Sequence, residues 1–452
     1  MSDFLLQLEH ILSVVADGIW GYPLIILLFG THVFLTFRLK FIQRYVFKGI
    51  KLSFSRSKEG SGDISQFGAL TTALAATIGT GNIVGVATAI AMGGPGAVLW
   101  MWLTGVFGIA TKYAEAVLSL KYRVKTEDGT MAGGPMYVLE RGLNKKWLGV
   151  VFAALTAISA FGIGNMVQAN SISEMVRSTF NIDNWITGII ITVLTAFVIL
   201  GGIRKIAHVC EMLVPFMAAF YMLGCLIILG ANISTLPDTI ALIFESAFSG
   251  HAAAAGFAGA AMKEALRFGI ARGLFSNESG LGSAPIVAAA AQTKNPVRQA
   301  LVSSTGTFWD TVVVCALTGM VIVNSQVWLT DSQGAEITKD AFAFLPVVGP
   351  IILTVGLLTF VFSTILGWSY YGEKAAEYLF GKKVIQPYRV LWVIMVMVGS
   401  VLSLKAVWSF ADITNGLMAL PNLISLIFLS GVVYRETDKY LFQGHFDDEE
   451  KP

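Results

Sequence analysis

The stretch ALTTALAATIGTGNIVGVATAIAM, residues 69–92, is apolar and long enough to cross a membrane, but Gly79-Thr80-Gly81-Asn82 interrupts it. A second apolar stretch, residues 266–291, is interrupted in the same way by FSNESGLGS, residues 275–283. In hydrocarbon every backbone N–H and C=O needs a partner, so an unwound helix is tolerated only inside protein or beside a polar cavity. Two such breaks, one in each half of the chain, predict a binding site near the membrane midplane and therefore a secondary transporter.

The composition excludes an ordinary soluble protein. Of the 452 residues, 55% are hydrophobic and only 13% are charged, and the mean hydropathy is +0.69. These values lie far from soluble averages. Cys210, Cys225 and Cys315 occur in apolar segments at unrelated spacings, so they predict neither disulfides nor a metal site. We expect the chain to be surrounded by a lipid bilayer and to have no nucleic-acid partner.

Apolar runs of spanning length recur along the whole chain. They predict 11 transmembrane helices at about residues 18–37, 69–91, 97–120, 148–179, 185–203, 209–231, 268–291, 299–323, 348–371, 388–404 and 411–433. Basic residues are concentrated in alternate loops, with seven in residues 38–58 and none in residues 92–96 or 181–184. The excess of basic residues in cytoplasmic loops then predicts a cell-membrane protein with its N-terminus outside and its C-terminus in the cytoplasm.

The spans divide the chain into an introductory segment and two halves. Residues 1–64 are predicted to contain an N-terminal amphipathic segment, one extra transmembrane helix and a basic cytoplasmic loop. The amphipathic part, residues 1–17, lacks the basic start of a signal peptide and fits either a short helix on the membrane or a flexible polar tail. Residues 65–232 form a first group of five helices, and residues 233–433 form an external segment and a second group of five. A cytoplasmic tail, residues 434–452, follows.

The two groups of five predict an all-α inverted repeat. Because five is odd, the first helix of each group crosses the membrane in the opposite sense, and each of these helices contains one of the breaks. Transporters built in this way move one bundle against a scaffold around a central site.

Two motifs resemble those of a known transporter family. GGPGAVLWMWL, residues 93–103, and RGLFSNESGLGSAP, residues 272–285, resemble signatures of the alanine or glycine:cation symporters. With the span pattern, the resemblance covers nearly the whole chain. It implies the leucine-transporter fold preceded by one additional helix. It also implies sodium-coupled uptake of alanine, glycine or similarly small neutral amino acids, with Na+ as the coupling ion and no organic cofactor.

The breaks also suit an amino acid on chemical grounds. Unwinding at residues 79–82 exposes N–H groups at the positive end of the following half-helix, which suits a carboxylate. Carbonyls around Phe275 and Ser276 suit an ammonium group. Phe275 and Trp368 are predicted to wall the side-chain pocket, although packing or interface anchoring explains such aromatics as well. The remaining predicted substrate-binding residues are polar or glycine: Gln168, Asn277, Ser279 and Gly280.

The resemblance further implies a sodium site between two helices. Its ligands would be backbone carbonyls and hydroxyls, which hard cations prefer: those of Ala75, Ile78, Phe360, Ser363 and Thr364. The alternative for the serine and threonine is a bond to their own helix carbonyls. A candidate second sodium site draws on Asn82, Ser276 and Asp310.

Several other polar residues lie in apolar surroundings. A carboxylate near mid-membrane is costly unless it is paired or bound to a cation, which favours an ion ligand over a structural role for Asp310. Glu278 is expected either to pair with Arg272 or to lock the second break. Asp412, at the start of the last predicted span, is expected either to have an interfacial or gate role or to have none. Asn170 is predicted either to face the site or to bond to a neighbouring helix.

Functions other than sodium-coupled transport make different demands on the sequence. A membrane-embedded hydrolase would need a base beside the serines of residues 276–283, but His208 and His251 are predicted to lie outside the spans. A channel would favour repeated pore helices or rings of charge. A proton-coupled amino acid symporter of the same fold is the closer alternative, because Asp310 could carry the proton.

Overall fold

A computed structural model describes residues 2–54, 60–249, 258–330, 335–402 and 404–448. These residues are almost entirely helical. The sheet that they contain is a two-stranded antiparallel ribbon, Val124–Lys125 with Met131–Ala132. The predicted all-α class is confirmed.

The first half of the chain is a succession of helices joined by short connections. Its α-helices are α1 Ser2–Ile19, α2 Tyr22–Arg38, α3 Val46–Ser53, α4 Gln66–Thr77, α5 Val84–Gly93, α6 Ala97–Lys121, α7 Pro135–Tyr137, α8 Lys146–Phe161, α9 Val167–Phe180, α10 Asn184–Ile199, α11 Gly202–Ala231 and α12 Leu236–Ser249. Tighter 3-10 turns lie at Ile42–Tyr45, Thr80–Asn82 and Ile233–Thr235, and wider π turns lie at Val138–Gly142 and Gly162–Met166. Through the second π turn, α8 and α9 join into one helix of 35 residues.

The second half is likewise a succession of helices and turns. Its α-helices are α13 Ala258–Asn277, α14 Pro285–Ala288, α15 Pro296–Thr307, α16 Ala316–Ser325, α17 Ala335–Phe342, α18 Val348–Phe380, α19 Ile385–Val401, α20 Leu404–Phe428 and α21 Ser430–Thr437. The 3-10 turns are Val327–Leu329 and Lys382–Val384, and the π turns are Phe308–Cys315 and Asp438–Phe442.

Long apolar helices make this a multi-pass membrane protein. Within the described residues, seven helices are long and apolar enough to cross a membrane, and the bent pair of α4 and α5 makes an eighth. Large apolar side chains such as Phe216 and Leu223 are exposed on their outer faces, where lipid solvates them as well as protein would. The 25-residue α6 differs from these spans because it contains the buried charged residues Lys112 and Glu115.

Both predicted breaks are present. The first separates α4 from α5, whose axes are bent by 61°. The second follows Asn277 at the end of α13, where Glu278, Gly280 and Gly282 adopt φ values of +56°, +90° and +85°. Side chains other than glycine are strained at such φ values, so two of the three positions are glycine and Glu278 is held there by other contacts.

Each break lies against a long helix. α18 packs on α4 so closely that a Cβ at Gly367 would lie 2.8 Å from the backbone nitrogen of Ala76. α6 packs on α13 and α15, and a Cβ at Gly108 would lie 2.9 Å from Oγ of Ser279. Glycine at these two positions lets the long helices approach the end of α4 and the side chain of Ser279 closely.

The N-terminal segment is a helix rather than a polar tail. α1 packs against α20. At its end, Trp20 Nε1 donates to the carbonyl of Asp412 at 2.8 Å, and Asp17 pairs with Arg267 at 3.3 Å.

Candidate functional site

The first break is held by two neutral amide side chains. The N–H of Gly79 donates to Oδ1 of Asn82 at 2.9 Å, and the N–H of Thr80 donates to Oε1 of Gln168 at 3.3 Å. Gln168 in turn donates from Nε2 to the hydroxyl of Thr80 at 3.2 Å. The predicted carboxylate-binding segment and Gln168 therefore lie together, and the N–H groups have internal partners in this conformation.

Five oxygens meet between the first break and α18. The hydroxyl of Ser363 lies 3.2 Å from the carbonyl oxygen of Ala75 and 2.7 Å from that of Phe360. The hydroxyl of Thr364 lies 3.2 Å from the carbonyl oxygen of Ile78 and 3.0 Å from that of Phe360. These are the five oxygens expected for the first sodium site, and none belongs to a charged group. The hydroxyls bond across to α4 as well as to their own helix, so both alternatives weighed for them occur together.

A carboxylate holds the second break. Oε1 of Glu115 accepts the N–H of Gly280 at 3.0 Å and that of Gly282 at 3.1 Å. Asn422 donates to the same oxygen at 2.7 Å and to the carbonyl of Gly280 at 2.9 Å. Successive N–H groups in such a turn form a concave anion site, and here Glu115 fills it from inside the protein.

Glu115 was not among the predicted site residues. The signal that could have found it is the one that singled out Asp310: a carboxylate inside an apolar segment of spanning length.

Glu278 locks the second break instead of pairing with Arg272. Its carboxylate accepts Nε1 of Trp368 at 2.8 Å and the hydroxyl of Ser283 at 2.5 Å. Arg272 pairs with Asp412 at 3.5 Å. Of the two alternatives considered for Glu278, the loop lock is the one observed.

The two candidate pocket aromatics, Trp368 and Phe275, pack against different parts of the protein. Trp368 is fully buried and packs directly against the π turn of residues 162–166. A Cβ at Gly164 would lie only 2.1 Å from the Cβ of Trp368. The ring of Phe275 stacks on Trp408 with ring centroids 5.5 Å apart, and a Cβ at Gly81 of the first break would lie 3.4 Å from the Phe275 ring. Whether both rings enclose a substrate side chain stays a prediction.

Arg272, Asp412 and Phe275 border a small cavity. It has a volume of about 50 Å³ and is also lined by Asp17 and Trp20. The guanidinium of Arg272 lies over the Phe275 ring at 5.7 Å. Whether the ion pair of Arg272 and Asp412 acts as a gate stays a prediction.

Asn82, Ser276 and Asp310 lie together, as expected for the candidate second sodium site. Asn82 donates from Nδ2 to Oδ1 of Asp310 at 2.7 Å, while the hydroxyls of Ser276 and Thr311 donate to Oδ2 at 3.0 and 2.6 Å. Both carboxylate oxygens therefore accept hydrogen bonds. A sodium ion would have to displace some of these donors, and its binding here stays a prediction.

The other predicted polar residues make hydrogen bonds within the second break and between helices, and a role of Asn277 and Ser279 in substrate binding stays a prediction. Asn277 accepts the N–H of Ser279 at 2.9 Å, and the hydroxyl of Ser279 lies 3.2 Å from that of Thr307. Asn170 donates to the carbonyls of Gly399 and Leu402, which is the interhelical role considered for it.

Similar proteins are transporters. A sodium/alanine symporter of Methanococcus maripaludis, AgcS, is 52% identical over 441 residues, covering 95% of this chain and 96% of its own. An uncharacterized transporter of Haemophilus influenzae is 51% identical and covers 98% of this chain and 99% of its own. The crystal structure of MhsT with L-phenylalanine has a TM-score of 0.59 at 13% identity, covering 83% of this chain and 98% of its own.

These similarities settle the class. The likeness to MhsT confirms a fold of the leucine-transporter type, and the relatives confirm a transporter in place of a membrane-embedded hydrolase. The sequence model that describes the sodium:alanine symporter family matches residues 5–451. The chain belongs to the sodium:alanine symporter family.

Proposed function

We propose that this protein takes up small neutral amino acids, alanine and glycine, together with Na+ by alternating access. The observation that carries the proposal is the group of five neutral oxygens between the first break and α18. Uncharged carbonyls and hydroxyls suit a monovalent hard cation, whereas a divalent ion usually receives carboxylates as well.

Ion and substrate are proposed to share the first break. The carbonyl of Ile78 belongs to the ion cage, and the N–H of the next residue, Gly79, belongs to the proposed carboxylate site. An ion that fixes this peptide unit also fixes the donor beside it, so each ligand favours the conformation that the other needs. The substrate carboxylate then replaces the amide oxygens of Asn82 and Gln168 on the freed N–H groups.

The amino group is assigned to the second break. Its carboxylate-binding N–H groups are already taken by Glu115, so the carbonyls near Phe275 and Ser276 are the complementary groups that it offers. Trp368 and Phe275 limit the side chain to about the size of a methyl group.

The proposed membrane architecture places these groups at its centre. It comprises 11 spans: an extra helix within residues 1–64, five in residues 65–232 and five in residues 233–433, followed by the tail 434–452. The N-terminus lies outside and the C-terminus in the cytoplasm of a cell-membrane protein.

The test is alanine uptake into proteoliposomes. We expect uptake to require an inward sodium gradient and to be competed by glycine more strongly than by leucine. Undiminished uptake in sodium-free medium under a proton gradient would instead establish the proton-coupled alternative. Flux that is independent of both ion gradients would favour a channel.

A further inference from the structure

One face of α6 is directed at the second break. Gly108 approaches Ser279, and Glu115 binds the N–H groups of Gly280 and Gly282. Lys112 is four residues after Gly108 and three before Glu115, so it belongs to the same helix face. Its side chain is only 3% exposed. An ammonium group is thus buried beside the unwound backbone.

The surroundings of Lys112 are rich in carboxylates. Glu115, Glu278 and Asp310 are all buried, and all three lie within electrostatic range of the Lys112 ammonium. Each carboxylate accepts hydrogen bonds from neutral donors. Within the part of the chain that the structure describes, Nζ of Lys112 has no hydrogen-bond partner. Its interaction with this region is therefore one of charge rather than of directed hydrogen bonds.

We infer that Lys112 is a resident cation that partly offsets the charge of the carboxylates at the second break in place of a second coupling ion, so that one Na+ accompanies each amino acid. This inference rests on the proposed sodium symport. A buried carboxylate cluster must be compensated by positive charge, because isolated charges are strongly unfavourable in an apolar interior. A tethered ammonium supplies that charge in every conformation, whereas a bound ion leaves on each transport cycle.

The geometry of the two candidate ion sites supports this division. The cage at Ser363 and Thr364 contains neutral oxygens only, so it has no negative charge that a tethered lysine could compensate. At Asp310, three donors already occupy the carboxylate oxygens. The first site therefore keeps a mobile ion, and the second is stabilised without one.

The experiment measures the coupling ratio in proteoliposomes. Labelled alanine is allowed to reach its steady distribution with the membrane potential clamped at zero and an inward sodium gradient of about tenfold. Accumulation of about tenfold corresponds to one Na+ per alanine, and about hundredfold corresponds to two. We expect one for the native protein. A native ratio of two would overturn the role of Lys112 and leave sodium symport standing, whereas no dependence on sodium would overturn the symport itself.

Variants then test the lysine. In Lys112→Gln the missing charge should be supplied by a second Na+, which raises the ratio to two and makes sodium activation sigmoidal. Lys112→Arg keeps the charge and should keep a ratio of one. The control is Lys374→Gln, which removes another buried lysine, one paired with Glu377 at 2.7 Å, and should also keep a ratio of one. A ratio of one in a transporting Lys112→Gln protein would overturn the inference.

A charge-balanced variant covers the case in which Lys112→Gln does not fold. Lys112→Gln with Glu115→Gln removes one positive and one negative charge while leaving an amide oxygen for the N–H groups of Gly280 and Gly282. We expect this double variant to fold and to transport with a ratio of one. If the double variant loses folding or transport to the same extent as Lys112→Gln alone, charge compensation is not the role of Lys112.

Discussion

At both breaks the unwound backbone has free N–H groups, but different kinds of side chain accept their hydrogen bonds. At the first, neutral amides of Asn82 and Gln168 accept the N–H groups of Gly79 and Thr80. At the second, the carboxylate of Glu115 accepts those of Gly280 and Gly282. Hydrogen bonds to an ionised acceptor are roughly twice as strong as neutral ones. The first break is therefore suited to exchanging its partners for a ligand, and the second is suited to staying as it is.

α18 connects the two breaks through residues one helical turn apart. Thr364 contacts the carbonyl of Ile78 at the first break, and Trp368 donates to Glu278 of the second. Residues at this spacing lie on the same face of a helix. A displacement of α18 would therefore change the proposed ion cage and the proposed side-chain pocket together.

The largest expected effect comes from removing the carboxylate of the second break. Glu115→Ala leaves the N–H groups of Gly280 and Gly282 without their acceptor, and the amide of Asn422 keeps only the carbonyl of Gly280. Each hydrogen bond to a charged group contributes about 1.5–3 kcal/mol, so we expect a loss of at least ~3 kcal/mol in the free energy of unfolding, with loss of transport. Thermal stability in detergent is the measurement. Glu115→Gln, which keeps an acceptor oxygen, should lose clearly less, and equal stability of the alanine variant and the native protein would contradict a fixed second break.

The next largest effect is expected at Trp368. Trp368→Ala removes a fully buried ring that donates to Glu278. We expect alanine binding to weaken by about 1–3 kcal/mol and larger amino acids to be admitted, because the packed pocket that excluded them is opened. Competition of alanine uptake by glycine, serine and leucine measures the change. Trp392→Ala is the control, since Trp392 is equally buried but stacks on Tyr388. An unchanged substrate ranking in Trp368→Ala would place the size limit elsewhere.

The sequence predicted the first break better than the second. The glycines Gly79 and Gly81 inside an apolar run predicted unwound backbone there. The family resemblance predicted which carbonyl oxygens lie near the hydroxyls of Ser363 and Thr364. Local pattern and family knowledge sufficed there because the cage consists of backbone carbonyls and two adjacent hydroxyls.

The second break depends on partners that its own sequence does not reveal. Gly280 is held by Glu115, which lies 165 residues away in the chain. Similarly, the choice of Glu278 between Arg272 and the loop was decided by the approach of Trp368 from α18. Such pairings follow from the packing of distant helices. A buried charge in a spanning segment indicates that a partner exists, but it does not identify that partner.

The smallest of these effects, and the most specific, is expected at the ion cage. The hydroxyl of Thr364 lies 3.2 Å from the carbonyl oxygen of Ile78 and 3.0 Å from that of Phe360. Thr364→Ala removes one neutral oxygen of five, so the sodium concentration for half-maximal alanine uptake should rise about tenfold, which corresponds to about 1.4 kcal/mol. Thr364→Ser keeps the hydroxyl and should stay near the native value. Because only a neutral hydrogen bond is lost, stability in sodium-free detergent should change by no more than about 1 kcal/mol, in contrast to Glu115→Ala. If Thr364→Ala leaves sodium activation unchanged, these carbonyls do not form the coupling site, and the exchangeable ligand of the first break is the amino acid alone.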